Sequence, residues 1–244
     1  MPDRAPTPPA RATGSGRRRA SHSLEAVVDE AIALLDEAGE PALTFRALAA
    51  RLGGGVASIY WYVASKEELL DRASDRVLDG VLADTAPLAA GGERADTDPI
   101  EAIRTIAVAL FDAVVDRPWL GAYFMRTTSQ QPNSLRLFER IGQQVMRLRL
   151  GPQPSFDATS AVIGYVIGTA ADLGQQPPPE VLDGSKTRDQ FLAEFAEEWR
   201  ALDAEEYPFI HHIVEVFADH DDAAQFREGL DLLLAGLRLR AAGS

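Results

Sequence analysis

Over almost all of the chain from Ser23 onward, apolar residues return at every third or fourth position, and no segment alternates as a half-buried strand would. That rhythm restricts the chain to helices packed on helices, an all-α fold. Val27, Val28, Ala31, Leu34, Leu35 and Ala38 form the first stripe, opened by Ser23 as a cap and stopped by Gly39. Thr44 caps a short helix whose apolar face is Phe45, Leu48, Ala49 and Leu52. Gly53-Gly54-Gly55 interrupts it, and Val56 to Val63 reads as a second short helix. Ser65 with Glu68 three residues on is a capping box, opening a longer helix from Lys66 to about Asp84. Asp98-Pro99 starts the next, with Ile100, Ile103, Ala107, Leu110, Phe111 and Val114 inward. Further helical segments are predicted around Trp119 to Met125, at Asn133 to Leu150 (Leu135, Phe138, Ile141, Val145 and Leu148 inward), and at Arg188 to Leu202, Tyr207 to Val216 and Asp221 to Arg240. Phe156 to Leu173 has no polar face, the pattern of a helix buried on every side. Gly174 to Lys186, with three consecutive prolines, reads as a mobile loop.

Charge divides the chain more sharply than hydropathy does. The 24 Lys and Arg against 37 Asp and Glu give a net charge of −13, which argues against a protein coated in nucleic acid but leaves room for a local basic head. Residues 1–22, rich in Pro and Gly, hold five arginines (Arg4, Arg11, Arg17, Arg18 and Arg19) against Asp3 alone. They are expected to be a disordered basic tail, either a solubilising segment or an arm for phosphates. Absence of cysteine removes disulfides, thiolate catalysis and cysteine-ligated metals. No apolar run approaches the roughly 20 residues that span a bilayer, so a cytoplasmic protein is expected.

Between Leu43 and Lys66 the chain carries Arg46, Arg51 and Lys66 and no acid. Two short helices around a glycine turn form a helix-turn-helix pattern, whose second helix suits a major groove about 12 Å wide. Ser58, Tyr60 and Tyr62 offer hydroxyls to phosphates, Trp61 an indole N–H, and Lys66 a charge at the next helix start. The plainer alternative makes Tyr60 and Trp61 core aromatics of a small bundle.

The residues Leu43-Thr44-Phe45-Arg46-Ala47-Leu48-Ala49-Ala50-Arg51-Leu52-Gly53, then Ser58-Ile59-Tyr60-Trp61-Tyr62-Val63, then Ser65-Lys66-Glu67-Glu68-Leu69-Leu70, resemble the DNA-binding domain of the TetR (tetracycline-repressor-like) transcriptional regulators. The likeness is strong over about residues 24–72. It continues weakly to Asp222–Leu237, which resembles the last helix of the tetracycline repressor's regulatory domain. It implies a helix-turn-helix domain at 23–72, a regulatory and dimerisation domain at 73–244, a homodimer, a palindromic operator, and release when a small molecule enters the larger domain. By that resemblance Arg46 meets a base edge or phosphate, Val56, Ala57 and Ser58 face bases, and Tyr60, Trp61, Tyr62 and Lys66 fix the backbone. Gly54 and Gly55 depart from the family pattern, which has valine and a polar residue there, and Tyr62 stands where a histidine is usual. Val56 and Ala57 make no bidentate hydrogen bond, so thymine methyl contacts and shape readout are expected.

The resemblance also implies a dimer bundle built from the helices Phe156 to Leu173 and Asp221 to Arg240, with Gly164 and Gly168 allowing close approach. The alternative is that both simply fill the domain's own core. A ligand pocket would be apolar with a few polar groups. Phe111, Trp119, Tyr123, Phe124, Met125, Phe138, Met146, Tyr165 and Thr169 are candidates, though such residues serve equally as core filling. Trp119, Tyr123 and Tyr165 lead because each brings a hydrogen-bonding tip to an apolar setting. The histidine that tetracycline repressors use to hold their drug has no counterpart near Leu82, so tetracycline with its metal is not expected. His211, His212 and His220 fit no metal-binding spacing, and neither metal nor cofactor is expected. An effector-independent regulator or activator is an alternative. An all-α enzyme has against it the lack of a P-loop, a dinucleotide fingerprint or a His–carboxylate pair at catalytic spacing.

Overall fold

The structure, a computed structural model, describes residues 22–175 and 177–243, so the tail expected over 1–22 lies, apart from His22, outside the described residues. Among the described residues there are twelve α-helices, one 3₁₀ turn and no strand. The N-terminal unit comprises α1 (Leu24–Ala42), α2 (Phe45–Arg51), α3 (Val56–Ile59) and the start of α4 (Lys66–Asp84). Its helices begin where side-chain oxygens satisfy free backbone N–H groups. Ser23 Oγ accepts from Ala26, Thr44 Oγ1 from Ala47 and Ser65 Oγ from Glu68, each at 3.1 Å. Leu35, Leu48, Ile59 and Leu69 close a small core between these helices. Gly39 breaks α1 by adopting φ 70°, ψ 178°, which sets up one final turn before Leu43.

The capping box at Ser65 is offset by one residue. Glu68 Oε2 accepts from the Ala64 N–H at 2.7 Å, one position before the cap, while Ser65 supplies the other half.

α4 runs out of the head into the larger unit, where it packs on α5 (Pro99–Val115) and α7 (Pro132–Met146) as well as on α1. α5 is the central helix and touches α4, α6 (Pro118–Phe124), α7, α8 (Pro152–Leu173) and α12 (Asp222–Ala242). Its Ile103, Ile106, Ala107, Leu110 and Val114 are buried, and each large aliphatic of this kind contributes about 1.5–3 kcal/mol by burial. Gly121 lets α6 lie against α8, since a Cβ there would come within 2.9 Å of Ala171 Cα. A short α9 (Pro179–Leu182) precedes α10 (Arg188–Arg200) and α11 (Pro208–Ala218), which pack chiefly against each other. Trp199 and Phe217 stack between them at 4.2 Å.

Four sequence expectations change. The second reading helix is a single α turn, 56–59, because Tyr62 and Val63 both turn their N–H groups to the Ile59 carbonyl and close it. α7 ends at Met146 rather than Leu150, and its inward stripe is Leu137, Ile141, Gln144 and Val145. Leu135 and Phe138 are 51 % and 38 % exposed because they face a cavity instead. The stretch from Gly174 to Lys186 is not all loop, since α9 forms within it. α8 is not buried all round within one chain: only Thr159, Val162, Val166 and Ala170 are buried, while Ala161 and Gly164 are exposed.

Candidate nucleic-acid interface and ligand cavity

α2 and α3 are joined by a turn that Gly53 makes possible with φ 66°, and the Gly54 N–H returns to the Ala49 carbonyl at 2.9 Å. Only Ile59 of α3 is buried, anchoring the helix from beneath. Val56 and Ala57 are exposed at its front, while the Ser58 hydroxyl donates to the Gly55 carbonyl at 2.5 Å. Tyr60 is 60 % exposed, its ring packed edge-on against Phe45 at 4.8 Å, and Trp61 is 87 % exposed. Tyr62 is half-buried and donates its hydroxyl to the His22 carbonyl. Two of the three aromatics therefore stand out from the head beside α3, and the third ties the turn to the start of α1.

The basic residues behave differently from one another. Arg51 forms ion pairs with Glu30 and Glu37 of α1, and Lys66 donates to the Glu40 carbonyl at 2.8 Å with the Glu40 carboxylate 3.7 Å away. The Arg51 contact holds the Glu37 carboxyl below its usual range. The acid-free window in the sequence is thus largely neutralised in space by three glutamates of α1. Arg46, exposed on α2, makes no ion pair among the described residues and remains the head's available cation.

Behind the head, a cavity of about 440 Å³ opens between α4, α5, α7 and α8. Its walls are Leu78, Leu110, Phe124, Leu135, Leu137, Phe138, Phe156, Ile163 and Ile167, with Ser129, Gln130 and Ser134 at one side. Of the nine ligand candidates, Phe124 and Phe138 line it, and the three leading ones, Trp119, Tyr123 and Tyr165, do not, nor do Phe111 and Thr169. The reason is that the polar tips that recommended the others already have partners. Trp119 Nε1 donates to Asp36 Oδ1 of α1 at 2.7 Å, and the Tyr123 hydroxyl donates to Asp71 Oδ1 of α4 at 2.5 Å. Burial, together with that carboxylate, pushes the Tyr123 hydroxyl above its usual range and keeps it a donor. Tyr165 donates to the Phe226 carbonyl at 3.1 Å, and Phe111 is buried and stacked on Phe226 at 3.6 Å. Thr169 is half-buried on α8, outside the cavity.

These bonds instead tie α6 and the segment after it to the head. Arg117 pairs with Asp36 at 3.3 Å, and Arg126 pairs with Glu40, the same residue that holds Lys66. Further along α4, the Asn133 N–H donates to Asp75 Oδ1 at 2.7 Å, and Arg140 donates to Thr85 Oγ1 at 2.8 Å. Two of the three histidines of this region are engaged by backbone, His211 Nε2 on the Leu202 carbonyl at 2.8 Å and His220 Nδ1 on the Phe217 carbonyl at 2.7 Å, and His212 is exposed.

Two family descriptions fit the chain: "Bacterial regulatory proteins, tetR family" over residues 27–73, and "Tetracyclin repressor-like, C-terminal domain" over residues 93–241. The chain belongs to the TetR family. An HTH-type transcriptional regulator of Saccharopolyspora erythraea is 30 % identical over 216 residues, 88 % of this chain and 84 % of the relative. The HTH-type transcriptional repressor DrrR1 of Streptomyces coeruleorubidus is 29 % identical over 221 residues, 90 % of this chain and 78 % of its own length. In three dimensions the chain is similar to SCO7222, a TetR from Streptomyces coelicolor. The TM-score is 0.73 at 34 % identity, covering 89 % of this chain and 98 % of that one. This TetR-family chain is therefore a helix-turn-helix transcriptional regulator with a larger helical C-terminal domain, in a family of regulators and not of enzymes. Among the described residues, no helix is long and apolar enough to cross a membrane.

Proposed function

We propose that this regulator is a repressor that binds a palindromic operator as a homodimer and leaves it when a small molecule fills the cavity beside α4. The observation that carries the reading is the pairing of an exposed surface with a cavity along one helix. Tyr60, Trp61 and Arg46 stand free at the head, and α4, which starts four residues after Tyr62, contributes Leu78 to the cavity wall. Val56 and Ala57 face bases, Tyr60, Trp61 and Arg46 hold phosphates, and Ser58, Tyr62 and Lys66 steady the reading surface from within the protein.

The proposed dimer interface is α8 with α12. Small residues on α8 support it: Gly164 is exposed and Gly168 half-buried, and among the described residues a Cβ at either would meet nothing within 4 Å, which leaves room for a second helix to approach. Leu232 and Leu239 of α12 add apolar surface at 76 % and 75 % exposure. Effector binding then tilts α4 and changes the separation of two heads that must match half-sites about 34–36 Å apart. Selection of duplexes from a random pool by the purified protein tests this directly. A two-fold symmetric site is expected, and an asymmetric or sequence-independent pool overturns the reading.

A further inference from the structure

Two cavities meet at one serine. Ser129 lines the apolar cavity, and it also lines a polar cleft of about 330 Å³ between α4 and the segment that follows α6. In that cleft its hydroxyl donates to Asp71 Oδ2 at 3.1 Å and accepts from Gln131 Nε2 at 2.6 Å. Asp71 takes the Tyr123 hydroxyl on its other oxygen. It sits five residues into α4 from Lys66, about 7.5 Å along the helix that follows the reading surface.

The apolar cavity has a defined chemical character. Among the described residues, no Lys, Arg, His, Asp or Glu lines it, and its polar side chains, Ser129, Gln130 and Ser134, all come from the short stretch 129–134. An ion entering such a space would give up its hydration with no counter-charge in return, a loss of several kcal/mol. An uncharged apolar body gains by burial, and a polar atom on it must find a partner on the one side that offers any.

Building on the effector reading above, we propose that the cavity takes an uncharged, mostly apolar molecule with one hydrogen-bonding edge, and that this edge takes the Ser129 hydroxyl away from Asp71. A serine has one proton to give. When a ligand carbonyl accepts it, Asp71 loses one of its two side-chain partners from this region, and the 125–131 segment loses a tie to α4. Ser129 is thus the positioning residue that reports occupancy to the helix carrying the head.

The test uses the full chain with two naphthalene probes. Prodan is uncharged, carries one ketone, and emits further to the red when that ketone is hydrogen-bonded; anilinonaphthalenesulfonate is of similar shape but anionic. Prodan is expected to bind at least tenfold more tightly than the anion, and Leu135→Arg, a change at a half-exposed wall position, should reverse that order. Ser129→Ala should weaken prodan binding by about two- to tenfold, the loss of one hydrogen bond, and shift bound emission to the blue. It should also abolish the mutual weakening of prodan and selected-duplex binding, which in the wild type is expected at about 5–150-fold. Equal competition by the anion, or a Ser129→Ala protein with unchanged emission and unchanged coupling, overturns the proposal. If no duplex is selected, the operator reading fails on its own. The probe order and the emission shift still decide the cavity chemistry and the Ser129 contact.

Discussion

The aromatic residues of the head and those of the C-terminal domain look alike in the sequence and do opposite things in the fold. Tyr60 and Trp61 leave their polar tips in solvent. Trp119, Tyr123 and Tyr165 bury theirs against Asp36, Asp71 and the Phe226 carbonyl. An amphipathic ring is a contact for a partner only if the chain has not already met its hydrogen-bonding need. Where it has, the ring is a strut. In this molecule two of those struts join the large domain to the helices that carry the reading surface.

The contrast can be broken experimentally, beginning with the largest effect. Trp119→Ala removes a buried ring and leaves Asp36 with one partner fewer, so it should cost about 3–5 kcal/mol in urea unfolding. Gly229→Ala would drive a Cβ into the Tyr165 ring and hydroxyl, and should cost about 1–3 kcal/mol by the same measurement. Trp61→Ala should leave unfolding within about 0.5 kcal/mol of the parent, because the side chain is exposed. It should nonetheless weaken binding to the selected duplex by roughly tenfold, the loss of one good contact. If Trp61→Ala destabilises the fold and leaves the duplex bound, the distinction between the two sets collapses. The smallest effect sharpens the charge picture. Arg46→Ala should lower the slope of log affinity against log salt by about 0.9, one phosphate's worth. Lys66→Ala, already engaged by Glu40, should change that slope little while lowering the melting temperature.

Local signals made most of the fold legible. Ser23, Thr44, Ser65, Asp98 and Asp221 each cap a helix as their types and positions suggest, since a cap needs only residues two or three positions away. What escaped the sequence was decided at long range. Asp36 lies 83 residues before Trp119, and Asp71 lies 52 before Tyr123, so nothing near either aromatic announces that its tip is taken. The neutralising of Arg51 and Lys66 has the same origin, because their glutamates belong to α1 and lie outside the basic window. The cavity was hidden in another way. Leu135 and Phe138 look like ordinary core positions of α7, and the available hint was that Asn133 and Gln144 share that helix's buried side. Those polar residues are inside because Asp75 and the Leu88 carbonyl await them.

The single turn of α3 begins at Gly55, which supplies no side-chain cap, and Ile59 is its one buried residue. A segment this short has little persistence of its own, so part of what docking releases goes into fixing its backbone. Among the described residues a Cβ at Gly55 would meet nothing within 4 Å, and the backbone there has an ordinary φ of −98°. Serine at this position could therefore stiffen the turn and tighten the grip without touching a base. On the proposed reading, strength of attachment and choice of sequence can thus be tuned separately, the first through one glycine and the second through Val56 and Ala57.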